Sequence, residues 1–316
     1  EILRCLVGSE MCIRDREGLA GLLPYALKDT SHGYRILVDK IKAGYPLTFI
    51  RTKMEVPYLV VKNETYQALF YTTEDKARAQ AAELMAEGFK PVVEDLPDGK
   101  AREDALLWLF DHGPTHILLD DSLSVPITDL VDEELPDYDG RPTTEHKLRN
   151  RMLNGATFYF LQQAAAGYGN MEAEYTWTQS MVNGEFLAAC INDPSRNYPA
   201  LGLTMENGLG LLVYTDWRQV QLDNPEGEPA CFVLDFEGLK RLLALDTKNI
   251  LLLNHATCNL SMDLEYMAMI EDSARNIRRS TPTGRSQFSQ QVGGYALGQV
   301  DEDDWDTTDP TPDFLK

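Results

Sequence analysis

The sequence predicts an α+β protein made of two tandem related domains, each a mixed sheet that starts with an antiparallel hairpin and is covered by helices. Three observations carry that prediction. The chain has 316 residues, 43% hydrophobic and 25% charged, which is ordinary for a globular protein and long enough for two cores. Two stretches repeat one order of Gly-containing strand, Pro-containing strand, Tyr-Thr and helix. Further on, Leu106-x2-Leu109-Phe110-x6-Ile117-Leu118-Leu119 matches Leu239-x2-Leu242-Leu243-x6-Ile250-Leu251-Leu252 without a gap.

In the first copy the opening strand lies within Lys42–Ile50 and the hairpin in Val56–Val61 and Ala68–Thr72, β-rich runs around the turn Asn63-Glu64-Thr65. In the second, Val182–Cys190 leads to Ala200–Thr204 and Leu209–Thr215, flanking Asn207-Gly208, a pair that tolerates positive φ. A helix over Glu74–Glu87 comes next in copy one, with Ala77, Ala81, Leu84 and Met85 on one face and Gly88 as its stop. The corresponding stretch of copy two is shorter and contains Trp217. A third strand (Pro91–Glu94; Ala230–Leu234), a helix (Ala101–Phe110; Phe236–Leu245) and an apolar strand (His116–Leu119; Ile250–Leu253) then follow in both. Each copy is predicted to close on a helix, Val125–Glu134 and Met262–Ile270, the latter behind Ser261 as N-cap. A hairpin followed by alternating helices and strands makes each sheet mixed.

The flanks have a different composition. Within residues 1–16, Leu6–Arg16 back-translates, in frame, to a sequence resembling the adapter and transposon end ligated onto DNA for sequencing, and the segment lacks the apolar core of a targeting peptide. They are read as an artefact, with any signal ahead of Glu17 lost. The first domain is then assigned to residues 17–135 and the second to 177–272, with 136–176 as linker and connecting helix. Asp132–Pro142 is charged and broken by Pro and Gly; a helix over Glu145–Ala166 follows, its stripe formed by Leu148, Met152, Phe158, Leu161 and Gln162. Residues 273–316 are polar and Gly/Gln-rich with an acidic end, so a disordered tail is expected there.

A formal charge of −21 argues against a nucleic-acid partner, which needs a basic face. Apolar runs reach only five or six residues (Ala105–Phe110, Leu209–Tyr214), so no membrane-spanning segment is predicted. Setting aside Cys5 and Cys12, the three thiols Cys190, Cys231 and Cys258 fit a reducing, cytoplasmic compartment better than a disulfide framework.

At Val56-Pro57…Phe70-Tyr71-Thr72 and Tyr198-Pro199…Val213-Tyr214-Thr215-Asp216, each followed by a helix and an Ile-Leu-Leu strand, the chain resembles the N-terminal domain of the SseB family, the enhanced serine sensitivity proteins of bacteria. The resemblance covers Tyr34–Glu134 and Trp177–Asp272 and implies a cytoplasmic bacterial α+β module without an established reaction. Beside the shorter, Trp217-containing segment of copy two, the copies differ where Asp120-Asp121 in the first corresponds to Asn254-His255 in the second, so that a shared ligand site, if there is one, is retained by at most one copy.

The residue types favour binding over catalysis. His112 and His116 have metal-ligand spacing, but Gly113-Pro114 between them breaks the helix that would align them. His255-x2-Cys258, with Cys231 or Cys190, would supply zinc ligands but lacks a second close pair. No metal or cofactor is therefore predicted. Dinucleotide, P-loop and nucleophile-elbow motifs are absent from residues 17–316. Tyr71, Thr72, Tyr214 and Thr215 recur at a strand-to-helix junction, where the threonine hydroxyl would cap the next helix or the pair would form a recognition edge. With Asp120, Asp121, Asn254 and His255 they form the candidate binding residues. The resulting expectation is a non-enzymatic protein- or ligand-binding module with a protein partner. Two alternatives are kept: an enzyme or metal-dependent protein using the strand-end carboxylates Asp120 and Asp121, which would act as acid/base or hold a cation, and an acidic decoy for a basic nucleic-acid-binding partner.

Overall fold

The computed structural model describes residues 18–53, 56–131, 148, 150–205, 208–227, 229–246 and 248–276. Residues 1–16, the charged segment from Asp132 and the chain beyond Asn276 lie outside the described residues.

Two helices, α1 (residues 18–28) and α2 (His32–Lys42), precede the first sheet. Its strands are β1 (Thr48–Thr52), β2 (Leu59–Lys62), β3 (Thr65–Tyr71), β4 (Pro91–Asp95), β5 (His116–Leu119) and β6 (Leu123–Pro126). Helix α3 (Glu74–Ala86) joins β3 to β4, and α4 (Lys100–Asp111) joins β4 to β5. Helices α5 (Arg151–Ala165) and α6 (Met171–Val182) precede the second sheet, which has β7 (Glu185–Cys190), β8 (Gly202–Met205), β9 (Gly208–Tyr214), β10 (Ala230–Asp235), β11 (Ile250–Leu253) and β12 (Leu260–Met262). Its helices are α7 (Trp217–Asp223), α8 (Phe236–Ala244) and α9 (Leu264–Asn276).

The sheets share one topology, β4-β1-β3-β5-β6 and β10-β7-β9-β11-β12, with β2 added to β3 and β8 to β9. In each, a single parallel pair (β3 with β5, β9 with β11) sits among antiparallel ones. The chain is thus an α+β protein of two related domains. Strand pairing also corrects the ungapped match between copies. Phe70 faces Leu119 and Val213 faces Leu253, so Ile117 is level with Leu251, not Ile250. One additional residue separates helix from strand in the second copy.

Side chains alternate across each sheet, and both faces are covered. Phe49, Phe70, Ile117 and Leu119 pack on α1, α2 and α4, while Ile50, Tyr58, Leu69 and Leu118 pack on α3. In the second sheet Phe186, Val213, Leu251 and Leu253 face α5, α6, α8 and α9, and Leu187, Leu212 and Tyr214 face the short α7. Helix α5 also reaches the first sheet, because Val56, Leu59 and Tyr66 belong to the same core cluster as Phe160 and Trp177. Phe160 stacks on Trp177 at 4.3 Å and 5°. Burying each such ring contributes on the order of 2–3 kcal/mol.

Five expectations are corrected. Val125–Glu134 does not begin a helix: Leu123–Pro126 is a strand pairing with β5, followed by one 3-10 turn at Ile127–Asp129. Ser261 is likewise in a strand, opposite Leu252, and Asp263 caps α9 by accepting the Tyr266 N–H at 2.8 Å. That helix continues through residues 273–276, where disorder was expected. Helix α5 starts at Arg151, and Met152 is exposed while Leu153, Ala156 and Phe160 are buried. Met85 is similarly exposed on α3, whose buried face is Ala77, Ala81 and Leu84. Two connections are as expected. Asn63 and Glu64 form the β2–β3 turn with positive φ, and Gly88 stops α3 at φ +93°.

Candidate functional site

In each domain the two parallel strands end side by side, β3 and β9 leading into a helix and β5 and β11 into a turn before an antiparallel strand. In the first domain Thr72 follows β3 and Asp120-Asp121 follow β5. The Asp120 carboxylate accepts the Thr72 N–H at 2.9 Å and the Thr72 hydroxyl at 2.7 Å, and pairs with Lys76 Nζ of α3 at 2.6 Å. The Tyr71 hydroxyl donates to Asp121 at 3.2 Å. Burial, then the Asp121 charge, pushes the Tyr71 phenol well above its ordinary value. Asp120 and Asp121 both have positive φ, 45° and 56°, a conformation that aspartate tolerates better than most residues.

The second domain repeats the arrangement with different groups. Asn254 Oδ1 accepts the Thr215 N–H at 2.9 Å, and Asn254 Nδ2 donates to the Thr215 hydroxyl at 3.0 Å. The Tyr214 hydroxyl donates to Asp223, at the end of α7, at 2.5 Å. His255 Nδ1 lies 3.0 Å from the same carboxylate. The hydrogen bond to Asp223 raises the His255 pKa against the effect of burial. Burial acts against ionisation of Asp223, but its bonds to His255 and Tyr214 prevail and hold the carboxyl below its usual range. All eight candidate residues therefore gather at two equivalent strand ends, four in each domain.

The threonines do not cap the helices. Thr73 caps α3 by accepting the Lys76 N–H, and Asp216 caps α7 by accepting the Gln219 N–H at 3.0 Å. Thr72 and Thr215 are each one residue too early, and their hydroxyls bind the β5 and β11 ends instead. Asp216 could have been recognised in the sequence as an acidic residue just before a helix.

Surroundings separate the two ends. In the second domain, Asn154 of α5 donates to Asp216 at 2.7 Å and to the Asp111 carbonyl at 3.0 Å, and accepts the Thr215 hydroxyl at 2.5 Å. Asn154, Thr215, Asp216, Gln219 and Asn254 are all buried, and burial raises the Asp216 pKa. A second carboxylate beside Asp216 would repel it, which accounts for Asn254 at the place of Asp120. These five residues form a buried polar network between α4, α5 and α7, and His255 stays part-exposed at its rim.

The first-domain end is open. Beside Asp121 lies a cleft of about 500 Å³ between β2, α3 and the end of α5. Tyr58, Val60, Leu69, Leu84 and Leu118 line it with Phe89, Tyr159 and Tyr168; Lys62, Gln80, Glu87, Asp121 and Gln163 supply its polar groups. None of the aromatic residues was singled out from the sequence, because they come from strand, loop and helix and meet only in the fold.

The remaining candidates are dispersed. His112 is buried at the end of α4, with Nδ1 2.6 Å from the Trp108 carbonyl, and burial lowers its pKa to about 4. His116 is on β5, with Nδ1 2.7 Å from the Thr115 hydroxyl. Cys258 is buried against the Leu253 carbonyl, and burial pushes its thiol up to about 12. Among the described residues no three His, Cys, Asp or Glu side chains are placed to hold a metal ion, and no helix is long and apolar enough to cross a membrane.

Comparisons with protein-family models, curated proteins and solved structures returned no match.

Proposed function

We propose that the protein is a non-enzymatic binding module of the SseB type that recognises a protein or ligand through its first domain. One observation carries the reading: of two equivalent strand ends, one is largely buried around Asn154 and the other borders an open, aromatic-lined cleft. Closure of most of the second-domain end leaves the first-domain end as the more accessible of the two, in keeping with the Asp120-Asp121 and Asn254-His255 difference. The carboxylate of Asp120 is engaged by Thr72 and Lys76, which favours a structural tie over an acid/base role. The buried thiols of Cys190, Cys231 and Cys258, none in a disulfide among the described residues, support a cytoplasmic setting.

Native mass spectrometry of the gently purified full chain tests this. A retained molecule that Tyr168→Ala releases is the expected result. Retention indifferent to Tyr168→Ala overturns the placement, and turnover abolished by Asp120→Asn in a folded protein overturns the non-enzymatic reading.

A further inference from the structure

The cleft runs along the backbone of β2, whose four residues Leu59, Val60, Val61 and Lys62 all line it. Strand β2 pairs with β3 on one side only. On its other side the Gln162 side chain of α5 accepts the Leu59 N–H at 2.9 Å and donates to the Leu59 carbonyl at 2.8 Å. A side-chain amide here makes the two bonds that a neighbouring strand would make. In an antiparallel ladder the outward groups recur every second residue, so Val61 turns its N–H and carbonyl to the same side. Val61 is 47% exposed, and among the described residues no strand adds to that edge.

The walls of the cleft specify charge. Glu87 and Asp121 bring two carboxylates, and Lys62 is the cation among the lining residues, its Nζ donating to the Asp121 carbonyl at 3.3 Å. Tyr58, Phe89 and Tyr168 form a continuous aromatic wall, Tyr58 edge-on to Phe89 at 5.5 Å and Phe89 stacked on Tyr168 at 5.3 Å. After burial, the Glu87 charge is the largest influence raising the Tyr58 phenol. Ring faces beside carboxylates attract ammonium and guanidinium groups. The formal charge of −21 extends that preference to the whole chain and favours encounter with a basic partner.

We infer that this cleft receives an extended basic segment of a partner protein, which pairs with the β2 edge at Val61 and places a Lys or Arg side chain between the aromatic wall and Glu87. The inference rests on the reading of the first domain as a binding module and adds the chemistry of what it binds. Backbone pairing supplies orientation and the cleft supplies selectivity, as in other cases of strand addition to a sheet edge. Gln162 limits the pairing to the Val61 side of Leu59, so the recognised segment is short.

The test is an NMR titration of the full isotope-labelled chain with two blocked pentapeptides, Thr-Lys-Val-Lys-Thr and its counterpart with both lysines replaced by glutamate. The expected result is saturable shifts at Val61 and Tyr168 with the lysine peptide only. Glu87→Gln and Tyr168→Ala should each weaken binding about fivefold, equivalent to loss of one exposed cation–π or charge contact. Val61→Pro removes the outward N–H without touching the β2–β3 ladder, and should abolish binding while the fold, monitored in the same spectra, persists. Equal binding of the glutamate peptide at the cleft overturns the basic partner but leaves a binding module. Lysine-peptide shifts that survive all three variants, or no saturable shift at all, overturn the inference; whether the module reading fails with it is decided by the Tyr168→Ala release experiment.

Discussion

Asp120 and Asn254 occupy equivalent ends of β5 and β11 and accept the N–H of Thr72 and Thr215 at the same distance, 2.9 Å. The shared bond ties the parallel strand to the point where its neighbour departs for a helix. The differing group reflects the surroundings: Asp120 meets Lys76, which is half exposed, whereas Asn254 is buried near Asp216.

The asymmetry predicts opposite tolerance. Asp120→Asn keeps one oxygen to accept the Thr72 N–H, reverses the Thr72 hydroxyl bond as at Asn254, and loses the ion pair to the half-exposed Lys76, so it should cost about 1 kcal/mol. Asn254→Ala leaves the buried Thr215 N–H without a partner, while the Thr215 hydroxyl keeps Asn154, and should cost about 1–3 kcal/mol. Urea denaturation of both variants checks the ranking, and equal costs would contradict the asymmetry between the two ends.

Gly113 and Gly155 bring α5 against the end of α4. A Cβ on Gly113 would lie 2.4 Å from the Gly155 backbone, at a φ of +110°, and one on Gly155 would lie 2.5 Å from the Tyr66 ring. Either alanine substitution should destabilise by about 1–3 kcal/mol, Gly113→Ala because it strikes backbone, which cannot yield, and Gly155→Ala because the Tyr66 ring it strikes is buried. A melting temperature unchanged by Gly113→Ala would contradict this packing.

The His255–Asp223 pair should make stability depend on pH. His255 is raised when folded, so its contribution is present below the ordinary histidine value of about 6.5 and disappears as pH rises through the folded pKa. Asp223 is lowered, so its part is present above about 4 and disappears as pH falls through its own folded pKa. The difference in melting temperature between the protein and His255→Gln should therefore peak between about pH 4 and 6.5. A difference that does not vary with pH would exclude the pair as its cause.

His112 has the opposite sign. Burial lowers its pKa to about 4, so the folded state resists the proton that the unfolded chain accepts. Stability should fall as pH drops from about 6.5 toward 4, and His112→Gln should flatten that limb in pH-dependent thermal denaturation. A limb unchanged in the variant would place the acid sensitivity elsewhere.

Local patterning determined the architecture. The Pro-containing hairpins, the Gly88 stop and the apolar strands His116–Leu119 and Ile250–Leu253 are signals carried by neighbouring residues, and each is present where it was read. Local patterning failed at Leu123–Pro126 and Leu260–Met262, because a short apolar run next to a helix has no periodicity of its own, and pairing with β5 and β11 makes each a strand. The eight candidate residues were legible because the duplication marked the same strand ends twice.

Only the tertiary structure decided which end is open. Asn154 reaches Asp216 across 62 residues, and Gln162 reaches Leu59 across 103. The cleft likewise joins Tyr58, Glu87, Asp121 and Tyr168, which come from separate elements. Such contacts depend on how α5 packs between two sheets, and no spacing along the chain encodes a packing position.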